Sequence, residues 1–501
     1  MTDWIALSLP GPVETAVLAV YVVTVVLLSL FGLHRLHLVV QYFRNADRAL
    51  AMPDDVADDA CPHVLVQLPV FNERFVVERL LDAVAKLDWP ADRLHIQVLD
   101  DSTDDTVEIS RRVAERLRGE GLDLVVLHRV DRSGFKAGAL QAGIEADAGR
   151  SGFVAVFDAD FLPQPKFLRK ALAPFAGADD LAMVQARWAH INRNDSLLTR
   201  AQAVLLDGHF VMEHGARFRA GRFFNFNGTA GVWRIAAIAD AGGWQGDTLT
   251  EDLDLSYRAQ LRGWRFAYLQ ELAVPSELPA DARAFKGQQH RWAKGSIQVA
   301  RKLLPTIWRA ELPLGTKLEA TAHLANNLAY PLMVVLLAVL PLAVVVRAQE
   351  GLLVALLVDL PVFVLATLNL IIFYALAERE VDRTTWLRRL VLVPFVLGVG
   401  ASLTPNQARA VWEAVTGKSS PFVRTPKAGD RGAAAVRRYR PRLGWQPLVE
   451  IAWGLYFGAA VLVAAAAGLW VSTPFMAMFA AAFLLLGVGS LLPARDARPA
   501  A

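Results

Sequence analysis

Long apolar segments are the feature that most limits what this chain can fold into. Five such segments occur, at 15–33, 321–346, 352–377, 451–471 and 474–493. Each is long enough to cross a bilayer as a helix, because about 20 residues span the hydrocarbon core. Residues 44–310 separate the first segment from the others and are dense in Asp, Arg and Gly. The sequence therefore predicts a soluble domain inserted into a helical membrane region of about five spans.

The positions of Lys and Arg predict the orientation in the membrane. The tail before the first span has neither residue, whereas Arg35, Arg44 and Arg48 follow the span. Lys and Arg accumulate in cytoplasmic loops, so we expect a cytoplasmic soluble domain in a multi-pass protein of the plasma or inner membrane. Two later basic segments, 379–389 and 424–442, should face the same side. The segment between them, 388–417, is then expected to lie along the membrane interface, or to enter the membrane and return to the same side.

These observations divide the chain into three parts. We expect an N-terminal membrane helix in 1–43, a soluble domain in 44–310 that ends in an interfacial helix, and a C-terminal membrane region in 311–501. Within the last part, 420–432 is rich in Pro and Gly and is predicted to be a mobile loop. The soluble domain shows no interleaving of basic and aromatic residues, so we expect no nucleic-acid partner.

The soluble domain has the pattern of an α/β fold. Four apolar strands are predicted, at 63–71, 93–101, 123–130 and 153–160, with helical patterns between them. Strands that alternate with helices form right-handed crossovers and a mostly parallel sheet. Ligands of such sheets bind at the carboxyl ends of the strands.

Two of these strands end in acidic residues. Asp158 and Asp160 close the fourth strand, and alternate residues of an extended chain face the same side. Two carboxylates so close repel each other unless a cation lies between them, and a divalent ion that also takes phosphate oxygens would fit. An Asp-rich turn without function is an equal alternative for this motif alone.

The other acidic clusters also have structural alternatives. Asp100 and Asp101 end the second strand, and the residues after them are typical helix caps. Glu251, Asp252 and Asp254 lie in the predicted first turn of a helix, where acidic side chains favour the helix dipole.

The order of the motifs along the chain is more specific than any one of them. The motifs are QLPVFNE (67–73), LDDSTDD (99–105), GFKAGAL (134–140), FDADF (157–161), FNGTAGVWR (226–234), TEDLDL (250–255) and QQHRW (288–292). Together they resemble the membrane-embedded family 2 glycosyltransferases of the cellulose synthase superfamily, especially the cellulose-synthase-like A group of glucomannan and mannan synthases. SPFVRTPK (420–427) is similar to the gating loop of cellulose synthases, with Arg424 in place of Val.

The resemblance implies a soluble domain of the GT-A type, which is Rossmann-like, and roles for individual residues. The nucleotide sugar would be bound by Glu73, Asp100, Asp101, Lys136 and Asp158. Asp158 and Asp160 would hold Mg²⁺ or Mn²⁺ against the diphosphate. Asp252 would be the general base that takes the proton of the acceptor hydroxyl, in a direct displacement that inverts the anomeric carbon.

The resemblance also implies an acceptor end and a gate. The acceptor would be bound by Glu251, Gln288, Gln289, Arg291 and Trp292. An indole face suits the apolar face of a pyranose, and a guanidinium offers a fork of donors to phosphate. The gating loop would consist of Phe422, Arg424, Thr425 and Lys427, closing over a bound diphosphate.

The function implied is that of a processive enzyme. It would transfer hexosyl units from GDP-mannose or UDP-glucose to a growing β-linked mannan, glucomannan or glucan and pass the polymer across the membrane, in contact with membrane lipid. One alternative is a ceramide-type glycolipid glucosyltransferase that adds a single sugar. A hyaluronan- or chitin-like synthase would share the same catalytic core. The gate motif and the two last spans favour the polymerase, because a single addition needs neither gate nor channel.

Overall fold

The computed structural model describes residues 10–347, 367–418, 424, 425, 427, 429, 444–470 and 472–492. In this part of the chain one sheet has seven strands: β1 (Val64–Val70), β2 (Leu94–Asp100), β3 (Leu124–His128), β4 (Phe153–Val156), β5 (Leu181–His190), β6 (Gly231–Arg234) and β7 (Arg265–Ser276). The α-helices up to residue 309 are α1 (Gly11–Arg44), which precedes the sheet, α2 (Val77–Val84), α3 (Thr106–Gly119), α4 (Phe135–Asp147), α5 (Phe167–Leu172), α6 (Leu197–Asp207), α7 (Gly215–Arg219), α8 (Ile235–Asp240), α9 (Glu251–Leu261) and α10 (Ala282–Arg309). The later α-helices are α11 (Leu314–Ala325), α12 (Ala329–Arg347), α13 (Asn369–Val381), α14 (Trp386–Arg389), α15 (Val393–Ser402), α16 (Thr404–Val415), α17 (Gln446–Ala466) and α18 (Thr473–Leu491).

The sheet confirms the predicted α/β class. Its strand order is β3-β2-β1-β4-β6-β5-β7. Neighbouring strands are parallel except where β6 runs antiparallel to β4 and to β5. Helices cover both faces, so a central strand such as β1 is apolar along nearly its whole length.

Two apolar clusters pack on the opposite faces of this sheet. Val64, Val66 and Leu68 contribute to one cluster, and Leu65 contributes to the other. Alternate residues of a strand point to opposite faces, so one strand can serve both clusters. This packing fixes the strands in place and leaves their carboxyl ends to form a common rim.

The fourth strand is shorter than the sequence predicts. It ends at Val156. The backbone N–H of Asp158 donates to the Thr229 hydroxyl (2.9 Å) instead of to a neighbouring strand. The backbone N–H of Phe161 then donates to the Asp158 carbonyl (3.0 Å), which closes a turn. The two aspartates are therefore presented by this turn, and the prediction that they lie in the extended strand is wrong.

Four helices of the described chain are long and apolar enough to cross a membrane. They are Gly11–Arg44, Leu314–Val346, Gln446–Ala466 and Thr473–Leu491, which correspond to four of the five predicted spans. The remaining predicted span, 352–377, lies mostly outside the described residues, and its end falls in α13. The helices fit a membrane-embedded protein.

A bent pair of helices coincides with the predicted interfacial or re-entrant element at 388–417. Its two parts, Trp386–Ser402 and Thr404–Val415, meet at 42°. Pro405 stands in the first turn of the second part, where its missing N–H costs no helical bond. Counted as one span, the pair would raise the number of candidate spans to five.

Candidate active site

A cavity of about 250 Å³ opens at the carboxyl ends of β1, β2 and β4. It is lined by most of the residues that the sequence assigned to the site: Glu73, Asp101, Lys136, Asp158, Asp160, Glu251, Asp252, Gln288, Arg291, Trp292, Arg424, Thr425 and Lys427. Asp100 and Gln289 do not line this cavity, and Phe422 lies outside the described residues. The fold thus brings together side chains that are separated by up to about 350 positions in the sequence.

The carboxylates of Asp158 and Asp160 are each paired with an ammonium group. Lys136 Nζ lies 2.5 Å from Asp158 Oδ1, and Lys427 Nζ lies 2.6 Å from Asp160 Oδ2. Burial raises the pKa of Asp158 above its ordinary value, and the charge of Lys136 opposes this shift. Among the described residues, no group of three or more His, Cys, Asp or Glu side chains is arranged to hold a metal.

Two carboxylates nevertheless suit one class of metal ion. Magnesium-type ions are commonly bound by one or two carboxylates, and substrate phosphates and water complete their shell. Asp158 and Asp160 line the same cavity and offer hard oxygen ligands. The pair therefore fits a divalent ion that arrives with a diphosphate.

Asp252 lies in the first turn of α9 with its carboxylate facing the cavity. Burial, and then the adjacent charge of Glu251, raise the pKa of Asp252 to about 7. Its Oδ1 accepts the backbone N–H of Leu253 (2.8 Å). A carboxylate with a pKa near the working pH can take up a proton in a reaction and release it again.

A glycine of the FNGT motif packs against this carboxylate. Gly228 has a φ of +78°, and a Cβ at this position would lie 2.9 Å from Asp252 Oδ2. The Gly228 carbonyl accepts a hydrogen bond from Lys136 Nζ (2.8 Å). Any side chain at 228 would push against the carboxylate, so glycine permits Lys136 and Asp252 to face the same space.

The two aspartates at the end of β2 have different surroundings. Asp100 is fully buried, and its Oδ1 accepts the backbone N–H of Ser102 (2.8 Å). Asp101 lines the cavity and accepts two hydrogen bonds from the guanidinium of Arg129, at 2.8 and 2.7 Å. A direct ligand contact is therefore open to Asp101, whereas Asp100 shapes the loop beneath it.

An arginine and a phenylalanine beside Asp101 were not anticipated from the sequence. The guanidinium carbon of Arg132 lies 3.4 Å from the centroid of the Phe71 ring, and both residues line the cavity. Arg132 Nε is 3.9 Å from the Asp101 carboxylate. Phe71 belongs to the QLPVFNE motif and directly follows β1, and Arg132 lies just before the GFKAGAL motif, so these two motifs were the available signal.

The QQHRW motif lies on α10. Asp281 caps this helix, because its carboxylate accepts the backbone N–H groups of Arg283 and Ala284 (2.7 and 3.3 Å). Residues spaced three and four apart share a helix face, which directs Gln288, Arg291 and Trp292 to the cavity together. Gln289 belongs to a different face, so its predicted contact with the acceptor has no support in this arrangement.

The segment 424–429 reaches across the cavity, as far as the structure describes it. Arg424 pairs with Glu73 (2.8 Å), and the Thr425 hydroxyl accepts a hydrogen bond from Arg291 Nη2 (2.6 Å). Lys427 binds Asp160 and also donates to the backbone carbonyl of Glu277 (2.9 Å). These contacts connect the predicted gate to Glu73, to Asp160 and to Arg291 of α10.

Glu277 is a further site residue that the sequence did not reveal. Its backbone N–H donates to Asp160 Oδ2 (3.2 Å), and its carboxylate accepts from Arg79 (2.8 Å) and from the backbone N–H of Gly429 (3.3 Å). It follows β7, a strand that was not recognised in the sequence. Glu277 thus binds both Asp160 and Gly429 of the predicted gating segment.

One domain of the chain is similar to known proteins. Residues 62–295 match the family described as "Glycosyltransferase like family 2". Glucomannan 4-beta-mannosyltransferase 1 of Oryza sativa subsp. japonica is 46% identical over 263 residues, which cover 52% of this chain and 50% of the relative. Glucomannan 4-beta-mannosyltransferase 2 of Arabidopsis thaliana is 46% identical over 258 residues, covering 51% and 48%. The chain thus matches about half the length of these relatives.

A solved structure has the same fold at lower sequence identity. It is the mannosyltransferase PcManGT from Pyrobaculum calidifontis in complex with GDP-Man and Mn²⁺, with a TM-score of 0.53 and 21% identity. The match covers 79% of this chain and 99% of that chain. The likeness confirms the expected GT-A fold. The domain at residues 62–295 is similar to the family 2 glycosyltransferases.

Proposed function

We propose that this protein is a processive, inverting hexosyltransferase that extends a β-linked mannan or glucomannan from GDP-mannose. One observation carries the proposal: Asp252, the pair Asp158 and Asp160, and the acceptor face of α10 line a single cavity. GDP-mannose is favoured over UDP-glucose because the sequence relatives are glucomannan 4-beta-mannosyltransferases and the structural neighbour holds GDP-Man.

The residues of the cavity divide the reaction among them. Asp101 and Arg132 bind the nucleotide end, and Lys136 and Lys427 supply positive charge to the diphosphate. A divalent ion, Mg²⁺ or Mn²⁺, would be held by Asp158 and Asp160 and would stabilise the charge of the leaving diphosphate. Asp252 takes the proton of the acceptor hydroxyl as that oxygen attacks the anomeric carbon of the donor sugar. One displacement inverts the centre, and no covalent sugar–enzyme bond forms.

Translocation is the finer part of the proposal and rests on how α10 meets the membrane helices. Lys286 pairs with Glu450 of α17 (2.8 Å), and Lys294 pairs with Glu413 of α16 (3.2 Å). The acceptor residues lie between these two buried pairs on the same helix. We propose that the polymer leaves the cavity along this side and enters the membrane region, with the soluble domain in the cytoplasm.

The product decides between this function and the single-addition alternative. Membranes containing the protein are incubated with radiolabelled GDP-mannose or UDP-glucose, and the products are separated into lipid extract, soluble oligomers and insoluble polymer. We expect label from GDP-mannose in polymer, with 4-linked residues by linkage analysis. Label confined to the lipid extract would identify a glycolipid enzyme and refute the polymerase.

The gate is tested by removing one hydroxyl. Thr425→Ala loses the hydrogen bond with Arg291 and leaves every charge in place, so we expect polymer synthesis to fall roughly ten- to hundredfold, the worth of a hydrogen bond to a charged group. Thr425→Ser keeps the hydroxyl and should retain activity. The same activity in Thr425→Ala as in the parent would mean that this segment is a basic linker on anionic lipid and no gate. Phe422→Ala is expected to reduce polymer synthesis as well.

The raised pKa of Asp252 gives a pH dependence with a definite sign. The base must be unprotonated to act, so kcat/KM for the acceptor should rise with pH to a plateau, with its midpoint near pH 7. Glu251→Gln removes a neighbouring negative charge, which lowers the pKa of Asp252 and moves the midpoint to lower pH. The measurement is the midpoint and not the absolute rate.

A second variant identifies the group that titrates. Burial raises the pKa of Glu73 to about 7 as well, although the guanidinium of Arg424 opposes this shift. Glu73→Gln should leave the midpoint where it is if Asp252 is the base. Disappearance of the acid limb in Glu73→Gln would assign the midpoint to Glu73 and contradict the role of Asp252.

A further inference from the structure

A second tryptophan lines the active-site cavity beside the tryptophan of the QQHRW motif. Trp188 lies near the end of β5, where its partner in the sheet is Val274 of β7. The centroids of the Trp188 and Trp292 rings are 6.4 Å apart, with 58° between the ring planes. Rings this close and this far from parallel leave no space for a sugar between them, so they form a corner.

Two more aromatic rings pack against Trp188. Phe161 meets Trp188 edge-on at 5.0 Å between centroids, and Phe210 packs against it at the same distance. Both phenylalanines are almost fully buried, with 3% and 1% of their surfaces exposed. Trp188 is thereby fixed in orientation while part of it faces the cavity.

The surroundings of Trp188 favour a sugar over a phosphate. Leu206, Leu278 and Pro279 add apolar surface to the same cavity. A pyranose presents its C–H groups to such a surface, and large aromatic rings contribute contact area with little loss of conformational freedom. Phe161 also follows Asp160 directly in the chain, which places the corner next to the carboxylates that would hold the donor diphosphate.

We propose that Trp188 is a second acceptor-binding residue, which forms with Trp292 a corner that fixes the orientation of the terminal hexose of the acceptor. One indole contacts the face of the sugar and the other contacts its edge, so the attacking hydroxyl is directed toward Asp252. This inference rests on the proposed function, because it presupposes a hexose polymer as acceptor.

The test separates acceptor binding from donor binding. The full-length protein is assayed with GDP-mannose and soluble β-1,4-linked mannooligosaccharides, and KM is measured for each substrate. We expect Trp188→Ala to raise the acceptor KM about tenfold, which corresponds to roughly 1.4 kcal/mol. The donor KM and the slow release of GDP without acceptor should stay within twofold of the parent. Trp188→Phe should recover part of the loss.

Two further variants make every outcome decisive. Trp308→Ala, on the exposed part of α10, is the control for loss of an indole and should leave both KM values unchanged. If Trp188→Ala also loses donor binding, the acceptor KM is measured for Trp188→Leu instead, because leucine keeps apolar bulk without an aromatic ring. An acceptor KM within twofold of the parent in that variant, or in Trp188→Ala, overturns the inference. A parent protein that makes no polymer overturns the proposed function instead.

Discussion

Asp252→Asn is expected to lower the rate of sugar transfer by roughly two to four orders of magnitude, the range for loss of a general base. The substitution keeps the shape of the side chain, and the amide oxygen can still accept the backbone N–H of Leu253. The nucleotide sugar should therefore bind with the affinity of the parent. Transfer is measured as incorporation of labelled hexose, and donor binding is measured by titration with GDP-mannose.

A matched variant is the control for the loss of a carboxylate elsewhere on the protein. Asp92→Asn removes a carboxylate that is 80% exposed and lies outside the cavity, and it should change neither quantity. If donor binding falls in proportion to transfer in Asp252→Asn, Asp252 is a binding residue and the catalytic role is wrong.

Asp160→Asn is expected to abolish turnover while the protein still inserts and folds. The change would remove one of the two anionic oxygen ligands proposed for the divalent ion, and it also removes the ionic partner of Lys427. Removal of divalent metal with excess EDTA should abolish transfer by the parent in the same way. Activity is measured against the concentration of Mn²⁺ or Mg²⁺.

The dependence on metal distinguishes the two consequences of this substitution. Lys427→Gln loses the ion pair but keeps both carboxylates, so it should retain a metal requirement like that of the parent, at a lower rate. Undiminished transfer by Asp160→Asn, or by the parent in excess EDTA, would remove the metal from the mechanism.

Much of the fold was open to prediction because its signals are local. β1 and β2 are single apolar runs, and their observed bounds differ from the predicted ones by one residue at each end. β5 and β7 were not anticipated, although they are the longest strands of the described sheet. Both carry polar and charged residues along with apolar ones, which obscures the apolar pattern of a strand.

The site likewise contains residues that the sequence identified and residues that only the structure identified. The order of the acidic motifs identified Asp101, Asp158, Asp160 and Asp252, and each lines the cavity. The resemblance assigned the nucleotide contact first to Asp100 and then to Asp101, and a strand that ends in two aspartates does not show which one faces the cavity. Their environments differ through Ser102 and Arg129, and only the folded chain brings those groups to their carboxylates.

By itself the sequence determined which segments are apolar enough for a membrane, that the domain between them is α/β, and which motifs carry the chemistry. These properties depend on amino-acid composition and on hydrophobic patterns that repeat every few residues, so each segment carries the whole signal by itself. The tertiary structure decided that Lys427 meets Asp160 across 267 positions, and that Trp188 joins Trp292 beside them. Such contacts arise because the packing of the sheet and of α10 brings distant strand ends and loops to one edge of the sheet. No local sequence pattern predicts which of these residues come into contact.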